Sequence, residues 1–178
     1  MPISVREGEV VALDSDLGRL FELQLQDTYY AEAAITKALP KMIEAARSRD
    51  LKEAFENHLE QTAEHVSRLE AVFGMIGRPA KATPCEAIKG IIKEGDEIAS
   101  EFGATQAGDA GLAAAAQAVE HYEIARYGTL KAWARELGLT KAVILLEATE
   151  VEEIDTDQIL SDLAAQFNAS AAASRARV

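Results

Sequence analysis

The chain has 178 residues, enough for one domain with a substantial core, and its 48% hydrophobic and 27% charged content is that of an ordinary soluble globular protein. A net charge of −12 argues against nucleic acid or an anionic membrane as the main partner, because both reward clustered Lys and Arg; it fits a solvated acidic surface and a protein that binds cations. The single cysteine, Cys85, rules out an intrachain disulfide and points to a reduced, cytoplasmic setting. No apolar run approaches the roughly 20 residues that span a bilayer, and the N-terminus lacks the basic and apolar regions of a signal peptide.

Aromatics are scarce, while alanine, leucine, glutamate, glutamine and lysine are plentiful. These are strong helix formers, so the fold is expected to be all-α. Residues 1–16 read as an arm whose Asp14, Ser15 and Asp16 offer capping oxygens to a first helix from about Leu17 to Ala46. Pro40 predicts a kink in it. A polar link, 47–50, leads to a second helix from about Leu51 to Met75, ended by Gly74 and Gly77. Thr83-Pro84-Cys85-Glu86 has the pattern of a helix start, and the helix after it runs to about Phe102 as a crossover element. Asp109 can cap a helix ending at Gly138, and Thr140 one that reaches about Phe167. The segment 168–178 reads as a flexible tail. Two helical hairpins joined by one long connection with its own short helix give a four-helix bundle over 17–167, of the single-crossover, ferritin-like type.

Four of these helices carry a glutamate where an apolar stripe should be unbroken. The first has Phe21, Leu25, Thr28, Glu32, Ile35, Leu39 and Met42 on one face; the third bundle helix has Ala113, Ala116, Glu120, Glu123, Tyr127 and Leu130; the last has Leu146, Thr149, Glu153, Thr156 and Leu160. On the second helix the stripe read by apolarity is Phe55, Leu59, Thr62, Val66, Leu69 and Phe73, and Glu60 flanks it. A lone buried carboxylate costs several kcal/mol, so it must be paired, protonated or bound to a metal. Several aimed at one bundle core suggest a dinuclear site, since carboxylates are hard ligands that bridge Fe or Mn ions. Glu64, Glu70, Glu147 and Glu152 read instead as solvated. His58, His65 and His121 read as packing or ligand-orienting residues, and Tyr127 as a hydrogen-bond donor to a buried carboxylate. Asp27 can orient a ligand or make an inter-helix contact, and Cys85, after a Pro at a helix N-terminus, reads as a packing residue or a mildly redox-sensitive thiol.

Several segments resemble the YciF-like ferritin-like family of bacterial stress-associated proteins. They are the run Leu25 to Glu32, His58-Leu-Glu-Gln-Thr62, the run Val119 to Thr129 with its Glu-His-Tyr-Glu-Ile-Ala-Arg-Tyr-Gly-Thr pattern, and Glu152 to Asp157. The resemblance implies a homodimeric ferritin-like bundle, a potential di-iron or di-manganese centre and a role in stress tolerance. A more distant similarity to rubrerythrin-type proteins implies metal ligands at Glu32, Glu60, Glu120, Glu123 and Glu153. The chain departs from that pattern at Ala63 and Thr156, where the family's two histidines would stand. Two functions follow as expectations: a stress protein with two Fe or Mn ions that handles peroxide or dioxygen, or a metal-independent dimeric structural protein.

Overall fold

The computed structural model describes residues 13–174, so the arm expected at 1–16 and the last residues of the tail fall largely outside the described residues. Five helices account for most of the described chain: α1 (Asp16–Ala45), α2 (Arg49–Met75), α3 (Glu86–Phe102), α4 (Gly108–Glu136) and α5 (Thr140–Ala173). Helix α1 starts where Ser15 accepts a hydrogen bond from the Gly18 amide, and it runs unbroken through Pro40. Ser48 does the same for α2 through the Leu51 amide. Gly77 and Gly138 sit at positive φ, 66° and 73°, and end α2 and α4 in the left-handed conformation that glycine adopts without strain. Helix α5 extends to Ala173, six residues beyond the expected end, because the alanine-rich stretch after Phe167 favours helix.

Two predicted caps serve other purposes. Asp109 reaches across to accept hydrogen bonds from the Arg47 and Ser48 amides, at 2.8 and 2.9 Å, and so closes the α1–α2 link instead of its own helix. Thr83 bonds to Gln26 of α1 through both its hydroxyl and its amide, which leaves Cys85 as the α3 cap without a side-chain bond.

The helices α1, α2, α5 and α4 pack as a four-helix bundle in which each touches two neighbours, and α3 lies outside against α4 and α1. The core divides into two apolar layers. Phe21, Leu25, Leu69, Phe73, Leu130 and Leu146 fill one end. Ile35, Leu39, Phe55, Ala116 and Leu160 fill the other. Between them every bundle helix contributes buried polar residues: Glu32 from α1; His58, Thr62 and His65 from α2; Glu120 and Glu123 from α4; Thr149, Glu153 and Thr156 from α5. No described helix is long and apolar enough to cross a membrane.

Candidate metal centre

The polar layer arises from helix phase. On α2 the inward seam is Phe55, His58, Thr62, His65, Leu69 and Val72, all buried. His58 and His65 are seven residues apart, two helical turns, so they project from the same face. Glu60 lies about 200° around the helix from His58. It is exposed and lines an open groove with Glu64, Arg68 and Glu152. The structure therefore brings Glu32, Glu120, Glu123 and Glu153 together and leaves Glu60 outside the group. The two histidines occupy the face that the apolar reading had assigned to Leu59 and Val66, which are only half-buried.

Glu32, Glu123 and Glu153 have 0% exposed surface, and Glu120 has 1%. His58 Nε2 lies 3.3 Å from Glu120 Oε1 and 3.8 Å from Glu153 Oε2. His65 Nδ1 lies 3.0 Å from Glu153 Oε1 and 3.4 Å from Glu32 Oε1. Two sets of donor atoms converge within 4.8 Å of one another: His58, Glu120, Glu123 and Glu153 form one, and Glu32, His65 and Glu153 the other. Glu153 belongs to both.

The surrounding hydroxyls do not satisfy these carboxylates. Thr28, Thr62 and Thr156 each donate to the backbone carbonyl one turn earlier on their own helix, at 2.9, 2.8 and 3.0 Å. Tyr127 is the exception, since its hydroxyl donates to Glu32 Oε1 as expected from sequence. Among the described residues, eight buried side-chain atoms have no hydrogen-bond partner, and all belong to Glu32, His58, His65, Glu120, Glu123 and Glu153. For Glu123 and Glu153 both oxygens are affected.

Electrostatics splits the group. Burial, followed by the charges of Glu32 and Glu153, pushes the Glu123 carboxyl well above the usual carboxylate range. Burial and the charge of Glu153 do the same to Glu120. Glu32 is also raised by burial, although His65 opposes the shift. Glu153 goes the other way: burial would raise it, but its contacts with His65 and His58 hold it low. Burial would lower His65, yet its contacts with Glu153 and Glu32 outweigh that and set it at about 10. Burial lowers His58.

A further set of residues orients the histidines. His65 Nε2 lies 2.8 Å from Glu152 Oε2, and Arg68 grips both oxygens of Glu152 at 2.7 and 2.9 Å. With Nε2 engaged, Nδ1 is the nitrogen turned to the carboxylates. His58 Nδ1 lies 3.4 Å from the Thr156 hydroxyl, leaving Nε2 inward. Glu152 is thus half-buried and paired, where the sequence had suggested a solvated residue; spacing alone gives no sign of the Arg68 partner on another helix. Glu64 stays exposed, as expected; His121, expected to pack or to orient a ligand, is exposed instead and lies 3.5 Å from Asp157 Oδ1, away from the cluster. Asp27 makes an inter-helix contact, accepting from the Tyr122 hydroxyl at 3.2 Å. Cys85 is buried with its sulfur 3.0 Å from that same hydroxyl.

Comparison with known proteins agrees with this architecture. The chain is 43% identical to Protein YciF of Escherichia coli K12 over 141 residues, which cover 79% of this chain and 85% of that protein. The crystal structure of the E. coli stress protein YciF superposes with a TM-score of 0.83 at 40% identity, covering 87% of this chain and 98% of that one. YcfI of Rhodopseudomonas palustris, named as a candidate structural protein, superposes at 0.80 with 48% identity, covering 83% and 94%. A protein from Xanthomonas campestris shares the fold at 20% identity with a TM-score of 0.68, covering 87% of this chain and 94% of that one. A family model described as Domain of unknown function (DUF892) matches residues 16–173, and the chain belongs to that family, as a YciF-like protein.

Proposed function

We propose that the polar layer is a dinuclear metal centre for Fe or Mn ions, in a protein that handles dioxygen or peroxide as part of a stress response. Glu123 carries this reading. It is wholly buried, no hydroxyl, amide or ring N–H donates to either of its oxygens, and the carboxylates of Glu32, Glu120 and Glu153 crowd the same space, so that without an ion only a proton shared with Glu32 is left to satisfy it. Two histidines cannot neutralise four carboxylates, and a carboxylate cluster of this kind is tolerable only if protonated or if cations enter. His65, Glu32 and Glu153 suit one ion; His58, Glu120 and Glu123 suit a second, with Glu153 positioned to bridge. Four carboxylates and two imidazoles suit Fe or Mn, because hard oxygen donors dominate the set and carboxylates can chelate or bridge. A bound pair would supply two adjacent redox-active Lewis acids. The protein's own part is to hold the ligands at one depth, to exclude water with the apolar layers above and below, and to keep His65 turned inward through Glu152 and Arg68. Burial favours protons on Glu120 and Glu123, which these residues would have to give up to hold the ions.

A homodimer in a cytoplasmic setting completes the proposal. Ile144, Val151, Ile154 and Ile159 lie exposed along α5, an apolar flank that a second copy would cover.

The test is elemental analysis after anaerobic loading with Fe(II) or Mn(II). Two ions per chain are expected, falling to one or none in a Glu32→Ala, Glu123→Ala double variant. Uptake well below two equivalents in the parent, or unchanged uptake in the variant, rejects the centre. A second reading, a metal-independent structural protein, draws support from the His65 contacts with Glu153 and Glu32, which partly balance charge without any ion. It leaves Glu123 with only a proton shared with Glu32 to satisfy it.

A further inference from the structure

A narrow cavity of about 50 Å³ runs between α1, α3 and α4 and ends on the cluster. Its inner end is formed by His58, Glu120 and Thr156, and its walls by side chains such as Ile35, Leu39, Phe55, Ile91 and Ile92. Small residues line it, Gly95 and Ala99 from α3 and Ala115 and Ala116 from α4, and a methyl added at Gly95 would lie 3.4 Å from the Ala115 methyl. At its outer rim stand Lys41 and Asp96, an exposed pair 3.7 Å apart. The open groove beside Glu60, Glu64 and Glu152 is a separate opening with polar walls.

We propose that this cavity is the binding and entry site for dioxygen, which it delivers to the His58–Glu120 side of the centre; the role rests on the metal reading above. Size excludes larger ligands, since the space is well below the roughly 150 Å³ that accepts benzene in an engineered apolar cavity. Polarity excludes charged and strongly hydrated ones. A water needs about two to four polar partners to be held, and along the walls it finds none before the inner end. Peroxide, with two hydroxyls, would surrender hydrogen bonds on the same path. Dioxygen has no hydrogen bonds to lose and partitions into apolar space. The arrangement therefore selects dioxygen over peroxide as the reactant on this route, and leaves the polar groove for ions.

The experiment is NMR of the metal-free full chain under increasing dioxygen pressure, with nitrogen as control. The methyl groups of Leu39, Ile91 and Ile92 should show oxygen-induced relaxation in excess of the exposed methyls of Leu20 and Leu23. No excess overturns the proposal. Ala99→Leu, which fills the cavity from the outer, partly exposed helix, should remove the excess; the parent measurement stands even if that variant folds poorly. In Fe(II)-loaded protein, Ala99→Leu should slow oxidation by dioxygen several-fold while leaving oxidation by added peroxide and metal stoichiometry unchanged. Equal slowing with both oxidants overturns the route. Failure of the parent to load metal would instead overturn the functional reading and the delivery role, while the NMR excess would still report gas in the cavity.

Discussion

Replacing Glu123 with methionine should stabilise the metal-free protein and abolish its stabilisation by metal. The side chain is 0% exposed, both of its oxygens lack partners, and burial keeps its carboxyl protonated far above the usual range. A buried polar group without hydrogen bonds costs about 1–3 kcal/mol by mutational measures. Methionine has nearly the same length and no polar group to satisfy, and its flexible thioether adapts to the available space. In a domain of this size, each kcal/mol moves the melting temperature by roughly 2–4 °C, so the metal-free variant should melt about 2–12 °C higher than the parent. With ions the order reverses. A ligand at 100 times its dissociation constant stabilises the folded state by about 2.7 kcal/mol, and the variant should forfeit most of that. Calorimetric melts of both proteins, at one protein concentration, with chelator and with Mn(II), give all four values. If the metal-free variant melted lower than the parent, Glu123 would be making favourable contacts of its own, and the case for a site built around absent cations would collapse.

Other consequences are open to direct measurement. In the metal-free protein, His65 keeps its proton up to about pH 10 while the unfolded chain gives it up near 6.5, so that contribution is full below pH 6.5 and is lost as pH rises towards 10. The raised carboxyls of Glu120 and Glu123 act in the same direction from the carboxylate range upward. Urea unfolding between pH 6 and 9.5 should therefore show stability falling by a few kcal/mol without metal, whereas metal-induced stabilisation should grow with pH because binding releases protons; a flat metal-free profile would contradict the assignment. Glu152→Gln should weaken metal affinity about 10–100-fold by loosening His65, read by calorimetric titration, while stoichiometry remains at two. Glu60→Ala should leave metal uptake unchanged and shift stability by no more than about 0.5 kcal/mol, as for other surface substitutions. Val151→Glu with Ile154→Glu should lower the mass measured by light scattering to that of one chain, if α5 supplies the interface between copies.

Glu32, Glu120, Glu123 and Glu153 could be found from sequence because each interrupts an otherwise regular apolar stripe, and a charged residue at such a position must point inward with its neighbours. The bundle and its crossover were legible for the same reason: the stripes, the Gly-rich ends and the short links fix helix number and pairing. His58 and His65 were hidden by the method of reading. On α2 two seams share Phe55, Thr62 and Leu69; choosing the more hydrophobic partners selects Leu59 and Val66 and turns the assigned face by about 50°. The alternative seam continues into Val72 and was marked by two histidines at a two-turn spacing, a signal that apolarity scoring discards. Glu60 entered only through family resemblance, and the same rotation places it outside. Glu152 could not be read at all, because its burial depends on Arg68, a partner from another helix.

Asp109 takes part in no chemistry, yet it pins the amides of Arg47 and Ser48 at the end of the bundle. Glu32 lies some 13 residues back along α1, about 20 Å away by helical rise. Sliding one hairpin past the other by a single turn would break this pin as well as the register of the buried carboxylates. The height at which carboxylate oxygens from opposite hairpins meet is thereby gauged from a distance, by one partly exposed peg, so that a change at this position would disturb the cluster while every residue in it stays the same.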